Sequence, residues 1–470
     1  MTVQQQQQTV EHDDYAPRRW NWRQLAFIAM GVLATGVTIL TTVPTAALAT
    51  NTPAAQASGS ATPAAAATAQ VNQALANNRI AAQVAKAWSK RFAERPDVAA
   101  TGRLNWKSSL DGHRPAIYAH RGARALMPAH SLGSYYIASI LGADYVEPDL
   151  VLTKDGEVVC NHEPYLSEST DVADRPEFAS RKREITVSLG GQSITLNDWF
   201  AMDFTLSELK TLRMRQTTDG VRPSFFNQNF APLTFSEFLN AVQEISGRLG
   251  YPIGVIPEIK LASLHAQFRP DQPRYFEDRV LAILTAHGYP IQPQPDQPPA
   301  TRTLNGTLVQ LGDVVLQSFE LDVVRYLRQR TTLPILYLVN GDNADALTPQ
   351  GLDEAAGLAT HIGPGADFLL KPAANVLQGA EAAKKKELAK TRGDFVAHNS
   401  VVREAHRRGL RVVVYTISDS REFGGGQPGV LASTMRQLFT MGIDGYFAEN
   451  IPEAMRMRDI FALRPDALSR

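Results

Sequence analysis

The feature that most constrains this chain is a repeated alternation of short runs, rich in β-branched and aromatic residues, with amphipathic helical patterns. The runs are AIYAH (116–120), DYVEPDLVL (144–152), VVCNH (158–162), IGVIPEIK (253–260), VVLQSF (314–319), ILYLV (335–339), RVVVYTI (411–417) and DGYFAE (444–449). Between them lie patterns such as LSELKTL, FSEFLNAVQEI, ELDVVRYLRQ and SVVREAHRRG. Strands that alternate with helices pair in parallel, because each helix carries the chain back across the sheet. About eight strands over roughly 350 residues point to an α/β fold of the (β/α)8 TIM-barrel type with an insertion, not to an open doubly wound sheet. No glycine-rich phosphate loop follows a strand, which argues against a dinucleotide-binding fold.

Polar and ionisable residues collect at the C-terminal ends of these runs, the face on which barrel enzymes build active sites. His120-Arg121-Gly122, Glu147 with Asp149, His162, Glu258 with Lys260, and Gln317 all stand there. A histidine can exchange a proton near neutral pH, an arginine can fork onto phosphate, and the glycine lets the backbone turn tightly. Glu147 and Asp149 share a face of an extended segment, as hard-cation ligands or as a solvated strand edge. Glu258 and Lys260 also share a face, as a third ligand with a phosphate-directed cation or as a pair with each other. Two acids are read differently. Thr205-Leu-Ser-Glu208 and Thr234-Phe-Ser-Glu237 are capping boxes that begin helices.

The 47 basic and 47 acidic residues give zero net charge, which argues against nucleic acid as a partner. The single cysteine, Cys160, reads as a small buried residue and excludes a Cys-based zinc or iron–sulfur centre. After Arg23 no charged residue occurs until Arg79. Within that stretch RRWNWR precedes an apolar run over 25–49 that ends Ala47-Leu48-Ala49. Residues 1–49 are therefore expected to be a signal peptide or a membrane anchor, placing the protein in the periplasm, outside the cell or on the envelope. Residues 50–114 are expected to be an Ala/Thr-rich disordered linker, with a helix-compatible stretch at Ile80, Val84 and Trp88. The barrel is expected over 115–470, with its insertion at about 163–250.

The segment 119–174, beginning AHRGARALMPAHSLGSYY, resembles the start of glycerophosphodiester phosphodiesterases. The likeness continues through WFAMDFTLSELKTL (199–212), IPEIK (256–260), LQSF (316–319), VVVYTISD (412–419) and GIDGYFAENIPE (442–453). The resemblance implies that His120 and His162 are the catalytic acid/base pair. It implies that Arg121 and Lys260 contact phosphate, that Gln317 and Tyr415 line the substrate site, and that Glu147, Asp149 and Glu258 bind a divalent cation, Ca²⁺ or Mg²⁺. The implied reaction is hydrolysis of a small glycerophosphodiester to an alcohol and sn-glycerol 3-phosphate. Phospholipase D-like cleavage of lysolipids or sphingolipids, and a non-catalytic binding protein on a decayed barrel, are the alternatives. This sequence departs from the family pattern at Ala129, where an acid is usual, at Glu163, where Asp is usual, and at Tyr415, where Trp is common. His130, beside Ala129, is a candidate assistant.

Overall fold

The computed structural model describes residues 106–463 except 190–191, 217–221, 295–296, 378–393 and 419–429. The expected leader (1–49), nearly all of the linker, and the helix-compatible stretch at Ile80 to Trp88 lie outside the described residues.

The barrel opens with β1 (Ala116–Ala119), β2 (Tyr145–Val146), β3 (Asp149–Leu152) and β4 (Val158–Cys160). A hairpin of β5 (Arg183–Leu189) and β6 (Gln192–Asp198) follows, then β7 (Gly254–Val255) and β8 (Glu258–Ile259). A second hairpin pairs β9 (Thr301–Leu304) with β10 (Thr307–Gln310). The remaining strands are β11 (Leu316–Ser318), β12 (Ile335–Val339), β13 (His361–Pro364), β14 (Arg411–Ile417) and β15 (Gly445–Ala448).

Pairing closes on itself. β1 pairs in parallel with β15 and with β2, and β2 pairs with β7. Beyond Glu147-Pro148 the chain continues as β3, which pairs with β8, the continuation of β7 beyond Ile256-Pro257. From β8 the parallel ladder runs through β11, β12, β13 and β14 back to β15. Residues 145–152 and 254–259 are thus two barrel strands, each interrupted by a proline that cannot donate to the ladder. Both proline carbonyls still accept, from Glu258 N (2.9 Å) and Gln317 N (3.0 Å), so the ring holds together across the gaps. Tyr118, Ile256, Val315, Leu336, Leu338, Val413 and Phe447 form one buried apolar cluster contributed by the barrel strands.

One strand expectation needs correction and one stave was not expected, and the two offset each other. VVCNH is β4, which pairs antiparallel with β3 and is a hairpin arm instead of a barrel stave. The stave that sequence reading passes over is His361–Pro364, whose Gly and Pro hide it among turn signals. Gly363 packs closely there: a Cβ would lie 2.9 Å from Leu338 Cδ2, so that side chain would have to move.

The insertion also ends earlier than expected. The capping-box helix Phe235–Leu249 leads directly into β7 and packs along the barrel, so the extra material stops near Leu233. The inserted segment has its own core of Leu166, Val172, Phe178, Trp199, Phe204, Leu209 and Leu212, set against Val151 and Val159 of the hairpin. Both capping boxes form as read. Cys160 is fully buried. The linker expectation is corrected at its end: Trp106 is buried and packs on Phe439 (5.2 Å) and Phe461 (5.0 Å), so the packed body begins before Pro115.

Candidate active site

Each residue of the candidate site owes its place to a strand end. His120 leaves β1 with its backbone N–H donating to Ala448 O (3.0 Å) on the neighbouring strand. The chain then turns back sharply, with Arg121 and Gly122 both at positive φ (58° and 83°). Gly122 has no room for a side chain: a Cβ would lie 2.4 Å from Ser134 Oγ and 2.7 Å from the Ser134 carbonyl carbon. This turn aims the Arg121 backbone N–H at Glu147 Oε2 (3.0 Å) and the Arg121 Nε at Asp149 Oδ2 (3.3 Å).

Glu147, Asp149 and Glu258 flank the proline breaks in their strands, and all three are buried. Each offers an oxygen within 4.8 Å of the others. Lys260 Nζ lies 3.2 Å from Glu258 Oε1 and 4.0 Å from Asp149 Oδ1, and it stands over the Phe319 ring. Gln317 is fully buried and donates its amide to Glu147 Oε1 (2.8 Å) and Ile256 O (3.0 Å), so it holds a carboxylate in place. Tyr415 donates its hydroxyl to Val339 O (2.6 Å) and sets its ring edge-on to Phe319. His162 follows the hairpin arm and lies against Glu163, with Nδ1 2.7 Å from Oε1. It remains partly open to solvent, unlike His120.

Two further residues belong to the site's geometry: His130, named from the sequence only as a candidate assistant, and Glu449, which the sequence reading gives no role there. His130, at φ 59°, is buried and bridges Asp149 Oδ2 (3.0 Å) and the Tyr135 hydroxyl (2.8 Å). Glu449 follows β15 and is buried; His120 Nδ1 (3.3 Å), Arg124 Nη1 (2.8 Å) and Arg222 Nη2 (2.5 Å) converge on its carboxylate. Glu449 repeats the signal that marked the others, an ionisable residue at a strand's C-terminal end.

Crowding of charge in a dry pocket perturbs most of these groups. Burial, and after it Asp149, pushes Glu147 up to about 8. Burial raises Glu258 well above the usual carboxylate range. Asp149 stays well below it: burial opposes ionisation, but Lys260, His162 and His130 outweigh it. Burial and then Arg121 lower His120 to about 3, and burial with Lys260 and Arg121 also lowers His162. Three buried carboxylates in mutual reach, two of them resisting ionisation, form the all-oxygen donor set that a hard divalent cation takes. A separate cavity of about 810 Å³ opens at the N-terminal ends of the strands, lined by Asp144, Asp313, His361 and Arg411 among others, and shares none of these site residues.

Residues 120–453 match the pattern of the Glycerophosphoryl diester phosphodiesterase family, starting on the histidine that follows β1. Glycerophosphodiester phosphodiesterase GDPD6 of Arabidopsis thaliana is 30% identical over 328 residues, 67% of this chain and 78% of that protein. The glycerophosphodiester phosphodiesterase of Haemophilus influenzae is 32% identical over 184 residues, covering 37% of this chain and 46% of its own length. Among solved structures, a phosphodiesterase of Oleispira antarctica in complex with the product sn-glycerol-3-phosphate is 16% identical with a TM-score of 0.43, covering 75% of this chain and 99% of that one. The match spans the barrel from its first strand end past its last and takes in every residue of the cluster, so the chain belongs to the glycerophosphoryl diester phosphodiesterase family.

Proposed function

We propose that this protein is a metal-dependent phosphoric diester hydrolase that cleaves glycerophosphodiesters to an alcohol and sn-glycerol 3-phosphate, using His120 and His162 as its acid/base pair. The observation that carries the reading is the convergence of three buried carboxylates with Arg121, Lys260 and a buried histidine at one end of the barrel. A Ca²⁺ or Mg²⁺ ion held by Glu147, Asp149 and Glu258 would polarise a phosphate oxygen.

The chain's own residues do the rest. Arg121 and Lys260 present N–H donors to the charge that develops on the phosphate oxygens, in a pocket where burial strengthens such contacts. One histidine accepts the proton of the nucleophile, a glycerol hydroxyl or a water, and the other gives a proton to the departing alcohol. Gln317 keeps Glu147 turned toward its fellow ligands, and His130 does the same for Asp149. His130 thereby occupies the ground next to Ala129, where the family carries an acid.

The test is a product assay over several headgroups, soluble glycerophosphodiesters beside lysolipids, with chelator and metal add-back. Release of glycerol 3-phosphate that needs the cation and collapses in His120→Ala and His162→Ala is expected. No release from any headgroup would sink the reading. We also propose export, supported by the basic cluster and apolar run of residues 1–49. Cell fractionation with N-terminal sequencing of the mature protein tests it, and a cytoplasmic full-length product would refute it.

A further inference from the structure

His120 is gripped at both ring nitrogens. Arg121 Nε donates to its Nε2 at 3.2 Å, and an arginine N–H can only donate, so Nε2 must carry a lone pair. Its Nδ1 faces Glu449 Oε1 at 3.3 Å, and a carboxylate can only accept, so Nδ1 must carry the proton. One neutral tautomer satisfies both contacts. The Nε2 that accepts from Arg121 lies 4.0 Å from Glu147 Oε2, on the side of the carboxylate cluster.

We infer that Glu449 is the positioning residue of His120: it fixes the Nδ1–H tautomer and turns Nε2 toward the cluster as the proton acceptor, and Arg222, carried by the insertion, clamps Glu449 for that task. The arrangement follows the general logic by which a buried carboxylate orients a catalytic imidazole. Arg124 reaches the same carboxylate from the turn after β1, and Arg222 reaches it from the inserted segment. Two arginines on one buried carboxylate hold it ionised and leave it little rotational freedom. The insertion therefore contributes a working part to the barrel's chemistry, through Glu449 and without touching the reacting atoms.

The inference rests on His120 serving the hydrolytic site, and the test separates the two ideas. Side-chain ¹⁵N–¹H correlation spectra of the full protein, with His120 assigned by its loss in His120→Ala, report the tautomer without any turnover. The wild type should show Nδ1–H, and Glu449→Gln, whose amide can donate as well as accept, should lose that preference. Glu449→Gln should lower kcat on glycerophosphocholine by about 10²–10⁴-fold, with KM and Ca²⁺ affinity changed by no more than about threefold. Glu449→Asp, which keeps the charge, should recover at least about tenfold of that loss, and it carries the comparison if Glu449→Gln fails to melt cooperatively. Arg222→Met should cost about tenfold in kcat at constant KM. An Nε2–H tautomer in the wild type, or full kcat in Glu449→Gln, overturns the inference. So does a raised KM with intact kcat in Arg222→Met, which would make Arg222 a substrate ligand. A wild type with the Nδ1–H tautomer that hydrolyses no diester would support the positioning role and refute the hydrolase reading instead.

Discussion

Replacing Gly122 by alanine should damage stability and catalysis together, and the size of the effect can be worked from the turn. At φ +83° an L-residue is strained by about 1–2 kcal/mol. The new methyl would sit 2.7 Å from the Ser134 carbonyl carbon and 2.9 Å from its Cβ, atoms fixed in the first turn of helix Leu132–Ile140. Relief requires the turn and that helix to part, an overpacking cost of about 1–3 kcal/mol. The shift also threatens the Ser134 hydroxyl bond to Arg121 O (2.9 Å), worth about 1 kcal/mol. Together these give roughly 3–6 kcal/mol, or a fall in Tm of about 4–8 °C for a body of this size. The same movement pulls the Arg121 N–H from Glu147, so kcat should drop about tenfold or more even well below the melting range. Differential scanning fluorimetry and glycerol 3-phosphate release measure the two effects. A Gly122→Ala protein with a Tm within about 1 °C of wild type would refute the argument from close approach.

Other consequences follow from the same geometry. Chelation should abolish turnover and lower Tm, and a cation at about 100 times its Kd should restore about 2.7 kcal/mol of stability. Without the cation, Glu147 stands at about 8 against an ordinary 4.5, so the stability it contributes is present below the ordinary value and lost as pH rises through about 8. The Tm of the metal-free protein should therefore fall between about pH 5 and 8.5, and Glu147→Gln should flatten that slope while weakening cation binding. Lys260→Ala removes the ammonium beside Glu258 and should cost about 10²-fold or more in kcat/KM; a loss under about threefold would exclude a phosphate role. Thr234→Ala deletes a helix cap and should cost about 1 kcal/mol in denaturant titration with kcat unchanged.

The readable parts of this protein were those that a single residue or a short period encodes. Staves such as ILYLV and RVVVYTI announce themselves because both faces are covered, and the two capping boxes because their partners lie three residues apart. His120, Glu147, Asp149, Glu258 and Lys260 stood out because an ionisable residue at an apolar run's end is unusual. VVCNH misled because an antiparallel arm and a parallel stave share one composition, and only the pairing partner tells them apart. His130 was weakly signalled because its approach to Asp149 depends on a positive-φ turn that returns the chain to the cluster. Trp106 sits among polar residues, and its burial depends on Phe439 and Phe461, more than 300 positions downstream. Glu449 carried the right signal, but its role became visible only once Arg222 and Arg124 were seen to meet it.

The charges of the carboxylate cluster favour the proposed cation. Glu449 is occupied with His120, Arg124 and Arg222, a neighbouring group of formal charge −1 + 2 = +1 with His120 neutral. What remains is Glu147, Asp149 and Glu258 against Arg121 and Lys260, a formal charge of −3 + 2 = −1. The three carboxylates repel one another within that cluster, and burial amplifies the repulsion. The site can relieve itself in two ways. It can take up a proton, which is the direction in which Glu147 and Glu258 are pushed, or it can take up a metal ion. The proton brings the pocket only to neutrality and spoils a ligand. A divalent ion would bring the cluster to +1 with all three carboxylates ionised, and would supply the means of polarising the substrate.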